Sequence, residues 1–108
     1  MTTATSLQDL GREINEINRA NGWAVCTPED WDDTYKVPAM IALIHSEASE
    51  ALEGFRENDK ANFEEELADV IIRTLDCASG LGLNLDQAVA TKLDKNRSRP
   101  HRHGGKRV

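Results

Sequence analysis

The chain has 108 residues, of which 39% are hydrophobic and 30% are charged, and its formal net charge is −6. This composition is typical of a folded soluble domain, and the length predicts one domain, residues 1–108, with a small core. No apolar run approaches the ~20 residues that span a bilayer, and Cys26 and Cys77 have no metal-binding or redox spacing, which argues for a cytoplasmic protein and against a membrane protein, a zinc finger or a secreted disulfide scaffold.

Two helices are predicted in the first half of the chain. Ser6 and Asp9 resemble a capping box at the start of the first helix, and Asn21-Gly22 ends it. In the connection that follows, Thr27-Pro28-Glu29-Asp30 forms a second small capping box, which supports only a turn or two. The second helix begins near Val37-Pro38, where proline is tolerated, and runs to about Glu57.

Two further helices are predicted in the second half. Asn58 or Asp59 caps the third helix, roughly 60–80, and the fourth runs from Leu85 to about Arg97. Strand signals are nearly absent, and the connections are short. The sequence therefore predicts an all-α fold, a four-helix bundle.

Each of the two central helices carries a pair of carboxylates three residues apart: Glu47 and Glu50, then Glu66 and Asp69. At 100° per residue, Glu47 falls within the apolar face of its helix and the other three border an apolar face. A short connection makes the helices an antiparallel hairpin, so the pairs face each other. Because clustered carboxylates need a compensating cation and oxygen ligands suit Mg²⁺ or Mn²⁺, we predict a divalent-metal site, with solvated surface charge as the alternative.

The apolar face of the second helix is expected to be a buried stripe formed by Met40, Ile44, Ala51 and Phe55. A carboxylate-bridged di-iron centre would need Glu-x-x-His pairs, but His45 points away from the four carboxylates. The all-oxygen site is therefore favoured over the di-iron centre.

The motifs around these carboxylates resemble those of a known family. The segments HSEASEALE at 45–53 and EELAD at 65–69 are similar to the E-E-x-x-E, spacer, E-x-x-D pattern of the MazG-like nucleoside triphosphate pyrophosphohydrolases. The resemblance extends from about Trp23 to Lys106. Ser46 departs from the pattern, because it replaces the first glutamate of the doublet, a carboxylate that in relatives assists a second metal or the attacking water.

The resemblance implies an activity and a site. Such enzymes hydrolyse the α–β phosphoanhydride of a (deoxy)nucleoside triphosphate to the monophosphate and pyrophosphate. Glu47, Glu50, Glu66 and Asp69 would hold Mg²⁺, with Mn²⁺ as a possible substitute, and Glu47 and Glu50 would be catalytic. The family usually assembles as a homodimer or homotetramer in which a second subunit completes the site. The small core and Ile72, opposite the core face of its helix, agree with such contacts.

The charge distribution gives the C-terminal segment a role. Residues 1–91 have a net charge of −12, whereas residues 92–108 have a net charge of +6. The resemblance assigns nucleotide contact to Lys92, Asn96 and Arg99. We further expect the segment to close on the substrate, with Lys106 reaching a phosphate. A basic helix end that matches the helix dipole is the alternative. Because the segment is short and follows an acidic body, no stable nucleic-acid partner is expected.

Two residues near the carboxylates have competing interpretations. Trp23 is expected to line the base pocket, or to plug the end of the bundle. Arg73 lies between Glu66 and Asp69 on the helix surface and is expected to pair with a carboxylate rather than with substrate. Two alternative functions also stay open: a phosphoribosyl-ATP pyrophosphohydrolase-like enzyme, and a non-catalytic helical nucleotide-sensing or oligomerisation module.

Overall fold

The computed structural model describes residues 1–99, and residues 100–108, which include Lys106, lie outside this range. The described part is all-α, as predicted, and contains no strand. A short 3-10 helix, Pro28–Asp32, stands between the first two of its four α-helices, which are α1 (Leu7–Ala20), α2 (Lys36–Arg56), α3 (Lys60–Gly80) and α4 (Leu85–Arg97).

The predicted caps start three of the helices. The side chain of Ser6 accepts a hydrogen bond from the Asp9 amide at 3.0 Å, and the side chains of Asp59 and Asn84 each accept from the amide three residues later. Asp59 rather than Asn58 is the cap of α3, while Asn58 adopts a left-handed backbone with φ of 56°. These local caps therefore indicate where the three helices begin.

Helices α2 and α3 form a hairpin that packs closely at its turn. A side chain at Gly54 would meet the Phe63 amide nitrogen at 3.1 Å, so only glycine allows this approach. On the other side of α3, a side chain at Gly11 of α1 would lie 2.8 Å from Ser79 Cβ. Helix α3 is thus the central element, with α2 on one side and α1 on the other.

The core is small, as expected from the length. Its buried apolar residues are Ile14, Cys26, Ala51, Leu75, Cys77, Ala78 and Leu81. Cys26 and Cys77 are free thiols in one apolar cluster with Leu81, and burial raises the pKa of both thiols. Within residues 1–99, none of the helices combines the length and apolar composition needed to cross a bilayer.

The predicted buried stripe of α2 is wrong at one end. Ala51 is buried and Met40 and Ile44 are half-buried, but the side chain of Phe55 is 72% exposed. Phe55 lies in the last turn of α2, beside the hairpin turn, where α1 does not extend to cover it. Other exposed apolar residues on the three later helices are Ile41, Leu43, Leu52, Leu67, Ile71, Ile72, Val89 and Leu93.

One carboxylate of α4 joins this helix to the start of α1. Asp86 accepts hydrogen bonds from the amides of Leu7 and Gln8, at 2.9 and 3.0 Å, which are the first two amides of α1. The next two amides of α1 donate to Ser6, so all four N-terminal donors of this helix are satisfied. No residue of α4 is buried. We therefore infer that Asp86 contributes much of the free energy that docks α4.

We predict that Asp86→Ala lowers the free energy of unfolding by about 1–2 kcal/mol, because it leaves two helix-terminal amides without their charged acceptor. Urea denaturation measures this loss. Asp94→Ala on the same helix is the control, since Asp94 is exposed and pairs with the equally exposed Arg97; it should change stability by less than about 0.5 kcal/mol. Equal losses in the two variants would contradict the prediction.

Candidate functional site

Three of the four predicted metal ligands lie together. Glu47 projects from the middle of α2, while Glu66 and Asp69 project from successive turns of α3. Each offers one carboxylate oxygen, and these three oxygens lie within 4.8 Å of one another. The hairpin thus converts two spacings along the sequence into one group, which we call the carboxylate cluster.

Glu50 lies at the edge of this cluster. Its side chain is exposed, and it does not belong to the three residues whose oxygens share the 4.8 Å distance. It is nevertheless close enough to Glu66 to raise the pKa of that carboxyl. The structure therefore places Glu50 beside the cluster, on its solvent side.

The cluster disfavours the ionised form of Glu66. Hydrogen bonding of its protonated form to Glu47, then burial, then the neighbouring Glu50 raise the pKa of Glu66 to about 7. Its Oε2 atom is shielded from solvent, and no group of residues 1–99 forms a hydrogen bond with it. An orphaned carboxylate oxygen of this kind is costly unless a proton or a cation binds it.

These residues fit a hard divalent cation. The donors are carboxylate oxygens only, which suits Mg²⁺ or Mn²⁺ better than zinc. One of them, Glu66 Oε2, has no other partner among the described residues. A cation would reduce the mutual repulsion of the carboxylates and would give Glu66 Oε2 a binding partner.

Arg73 forms the salt bridge that was expected of it. Its Nε donates to Glu47 Oε1 at 2.8 Å. This hydrogen bond is the main reason that the pKa of Glu47 is held below its usual value. Glu47 and Glu66 are thus driven in opposite directions, one toward the ionised form and the other toward the protonated form.

A pocket of about 520 Å³ opens beside the cluster. This volume is within the ~300–1,000 Å³ that is usual for small-molecule sites. Its polar lining consists of Asn18, Glu47, Asp69, Arg73 and Asp76, and its apolar lining consists of Trp23, Ala24, Met40, Leu43 and Ile72. The side chain of Trp23 is 62% exposed, which does not match a plug at the end of the bundle. Ile72 is part of the pocket wall as well as partly exposed.

Asn18 and Asp76 are pocket residues that the sequence did not reveal. Asp76 is buried and accepts a hydrogen bond at 2.6 Å from the side chain of Asn15, which also donates to the Asp76 carbonyl at 3.1 Å. One signal does exist in the sequence: Asp76 follows Asp69 by seven residues, or about two turns on the same face of α3.

Three of the predicted nucleotide contacts do not reach this pocket in a single chain. Lys92, Asn96 and Arg99 are exposed. They are not among the residues that line the pocket, because α4 packs mainly on α1. Lys92 instead borders a shallow groove formed within α4 and its N-terminal cap. The predicted contact Lys106 lies outside the described residues.

Comparison with known proteins supports the motif-based resemblance. A family model described as the MazG nucleotide pyrophosphohydrolase domain matches residues 36–103. The match begins at the first residue of α2 and includes the whole carboxylate cluster, so the predicted family resemblance is confirmed. Enzymes with this domain typically depend on divalent metals. No curated protein and no solved structure matches the chain.

We predict that the stability of the protein in EDTA falls as the pH rises toward 8. The pKa of Glu66 in the folded state, about 7, is above its ordinary value of 4.5. The folded state therefore holds the extra proton, and the stability this confers is complete below about pH 4.5 and is lost as the pH rises through about 7. Thermal unfolding of Glu66→Gln, which cannot titrate, should lack this decline.

Glu64→Gln is the matched control, because Glu64 is an exposed glutamate on the same helix. It should keep the wild-type pH dependence. Identical pH profiles for wild type and Glu66→Gln would show that Glu66 does not carry a raised pKa.

Proposed function

The chain belongs to the MazG nucleotide pyrophosphohydrolase family, and from this premise we propose that it hydrolyses (deoxy)nucleoside triphosphates between the α- and β-phosphates. The products are a nucleoside monophosphate and pyrophosphate. The observation that carries the proposal is that two members of the carboxylate cluster, Glu47 and Asp69, line the same pocket as the exposed indole of Trp23. The phosphates would thus lie at the carboxylates, and the base would lie next to them in the same pocket.

Glu47, Glu66 and Asp69 would hold Mg²⁺, with Mn²⁺ as a possible substitute, and Glu50 would complete the set from the solvent side. When bound, the cation neutralises charge on the phosphate oxygens and makes water more nucleophilic. Arg73 favours the ionised form of Glu47, which would hold the cation and so place the phosphates beside it. Glu50, exposed next to Glu66, is the candidate acceptor for the proton of the attacking water.

The remainder of the pocket suits the nucleoside. Trp23 offers an aromatic face for stacking on any base, and Leu43 and Ile72 provide apolar contact. Asn18 and Asp76 supply hydrogen-bonding groups at the same wall. In this arrangement the base would stack on Trp23 with one face, and its polar edge would form hydrogen bonds with Asn18 and Asp76.

We also propose that a second subunit completes the site, in a homodimer or homotetramer. Lys92, Asn96 and Arg99 do not line the pocket of their own chain, and would contact the triphosphate of a neighbouring chain. The exposed apolar residues Phe55 and Leu93 support such association, since each would otherwise leave apolar surface in water. Lys106, in the basic segment 92–108, would add a further phosphate contact.

We expect the purified protein to release pyrophosphate from (deoxy)nucleoside triphosphates when Mg²⁺ is present. Glu50→Gln and Asp69→Asn should each lower kcat/KM by about 100-fold or more, because they remove groups that act on the phosphates and the attacking water. Product chromatography over a panel of canonical and modified nucleotides measures the activity and the base preference.

Glu53→Gln and Glu64→Gln are the controls for this experiment, since both change exposed glutamates on the same two helices. They should retain wild-type activity. Nucleotide binding without turnover would point instead to the non-catalytic sensing module. Hydrolysis restricted to phosphoribosyl-ATP would identify the alternative enzyme.

Deletion of residues 101–108 should raise KM for the triphosphate by about tenfold with a smaller change in kcat, because it removes a charged contact to phosphate. Steady-state kinetics measure both constants. Within the same segment, Lys106→Gln should reproduce most of the effect, and Arg102→Gln should not. Unchanged kinetics after the deletion would contradict a role of the segment in substrate binding.

A further inference from the structure

We propose that Arg73 and a divalent cation compete for Glu47, and that the guanidinium released from this carboxylate binds the triphosphate. This inference rests on the proposed function, because it assigns Arg73 a role in the same site. It goes beyond that function in linking metal binding to substrate binding through one side chain.

The salt bridge between Arg73 and Glu47 joins the pocket to the carboxylate cluster. Arg73 Nε lies 2.8 Å from Glu47 Oε1, and the side chain of Glu47 is 11% exposed whereas that of Arg73 is 41% exposed. The guanidinium thus reaches from the open pocket to a buried carboxylate of the cluster. Arg73 lies one turn after Asp69 on α3, so it approaches the cluster from the side of the pocket.

The positive charge of Arg73 also opposes the binding of a cation at the carboxylate cluster. Glu47 belongs to the three carboxylates whose oxygens lie within 4.8 Å of one another. A guanidinium on one of them both occupies a lone pair and repels a second cation. Because the bridge is partly open to water, the effect is modest: an exposed ion pair of this kind changes an affinity by up to about fivefold.

Arg73 also has hydrogen-bond donors that the salt bridge does not use. Arginine has five N–H groups, and among residues 1–99 only Nε of Arg73 forms a hydrogen bond. The two terminal nitrogens form the planar fork that matches phosphate oxygens. Since Arg73 lines the same pocket as Asp69, a triphosphate held at the cluster lies within reach of this fork.

A different role for Arg73 predicts the opposite sign for metal binding. If Arg73 only oriented Glu47 as a ligand, its removal would weaken metal binding, as the loss of outer-shell partners commonly does, by about 10–100-fold. Competition predicts that removal strengthens it. The direction of the change therefore separates a competing residue from a supporting one.

The experiment uses the full chain and two probes, Mn²⁺ alone and inorganic tripolyphosphate at saturating Mg²⁺, each titrated by calorimetry. Arg73→Gln should bind Mn²⁺ about fivefold more tightly than wild type and tripolyphosphate about tenfold more weakly. Arg73→Lys keeps the charge but lacks the fork. It should bind Mn²⁺ as wild type does and tripolyphosphate more weakly.

Arg56→Gln is the matched control, because Arg56 pairs with Glu53 on the surface of α2 at 3.4 Å and lies outside the pocket. It should behave as wild type with both probes. Circular dichroism verifies that each variant is folded. If Arg73→Gln does not fold, the tripolyphosphate titration of Arg73→Lys tests the role of Arg73 in phosphate binding.

Unchanged or weaker Mn²⁺ binding by Arg73→Gln would overturn the competition. Unchanged tripolyphosphate binding by both Arg73 variants would overturn the second role of the residue. Failure of the proposed function is distinguishable from either result. If wild type binds Mn²⁺ but hydrolyses no nucleoside triphosphate, the proposed function fails while the Mn²⁺ titration still tests Arg73. If wild type binds no Mn²⁺, both fail.

Discussion

The structure depends on keeping several carboxylates close together without a matching number of cations. Glu47, Glu66 and Asp69 repel one another across the α2–α3 hairpin, and Gly54 lets the two helices pack closely where they turn. One proton is drawn onto Glu66 and one arginine onto Glu47 as a result. The same repulsion would be relieved by the divalent cation that we propose for this site, so the cost to folding and the proposed chemical use have one origin.

The other helices support this hairpin to different degrees. Helix α1 packs closely on α3 through Gly11 and a buried contact between Asn15 and Asp76, and so forms part of the pocket. Helix α4 contributes no buried residue and no group to the pocket lining. A single chain thus provides a pocket beside the carboxylate cluster, and the polar residues Lys92, Asn96 and Arg99 do not line it.

The features that could be predicted from the sequence are those that depend on residues close together in the chain. The caps Ser6 and Asn84 and the i, i+3 spacing of Glu66 and Asp69 are local, and short connections bring Glu47 to them. What could not be predicted depends on packing between distant segments. Asp76 meets Asn15 across 61 residues of sequence, and Phe55 is exposed because, among residues 1–99, α1 packs on α3 rather than on α2.

The docking of α4 has a consequence for the energetics of the molecule. Because Asp86 accepts hydrogen bonds from the first two amides of α1, undocking of α4 would leave both amides without their acceptor. Because α4 has no buried residue, we expect it to open at a lower free energy than the α2–α3 hairpin. The start of α1 and the docking of α4 thus depend on one side chain, which couples two segments 79 residues apart in sequence.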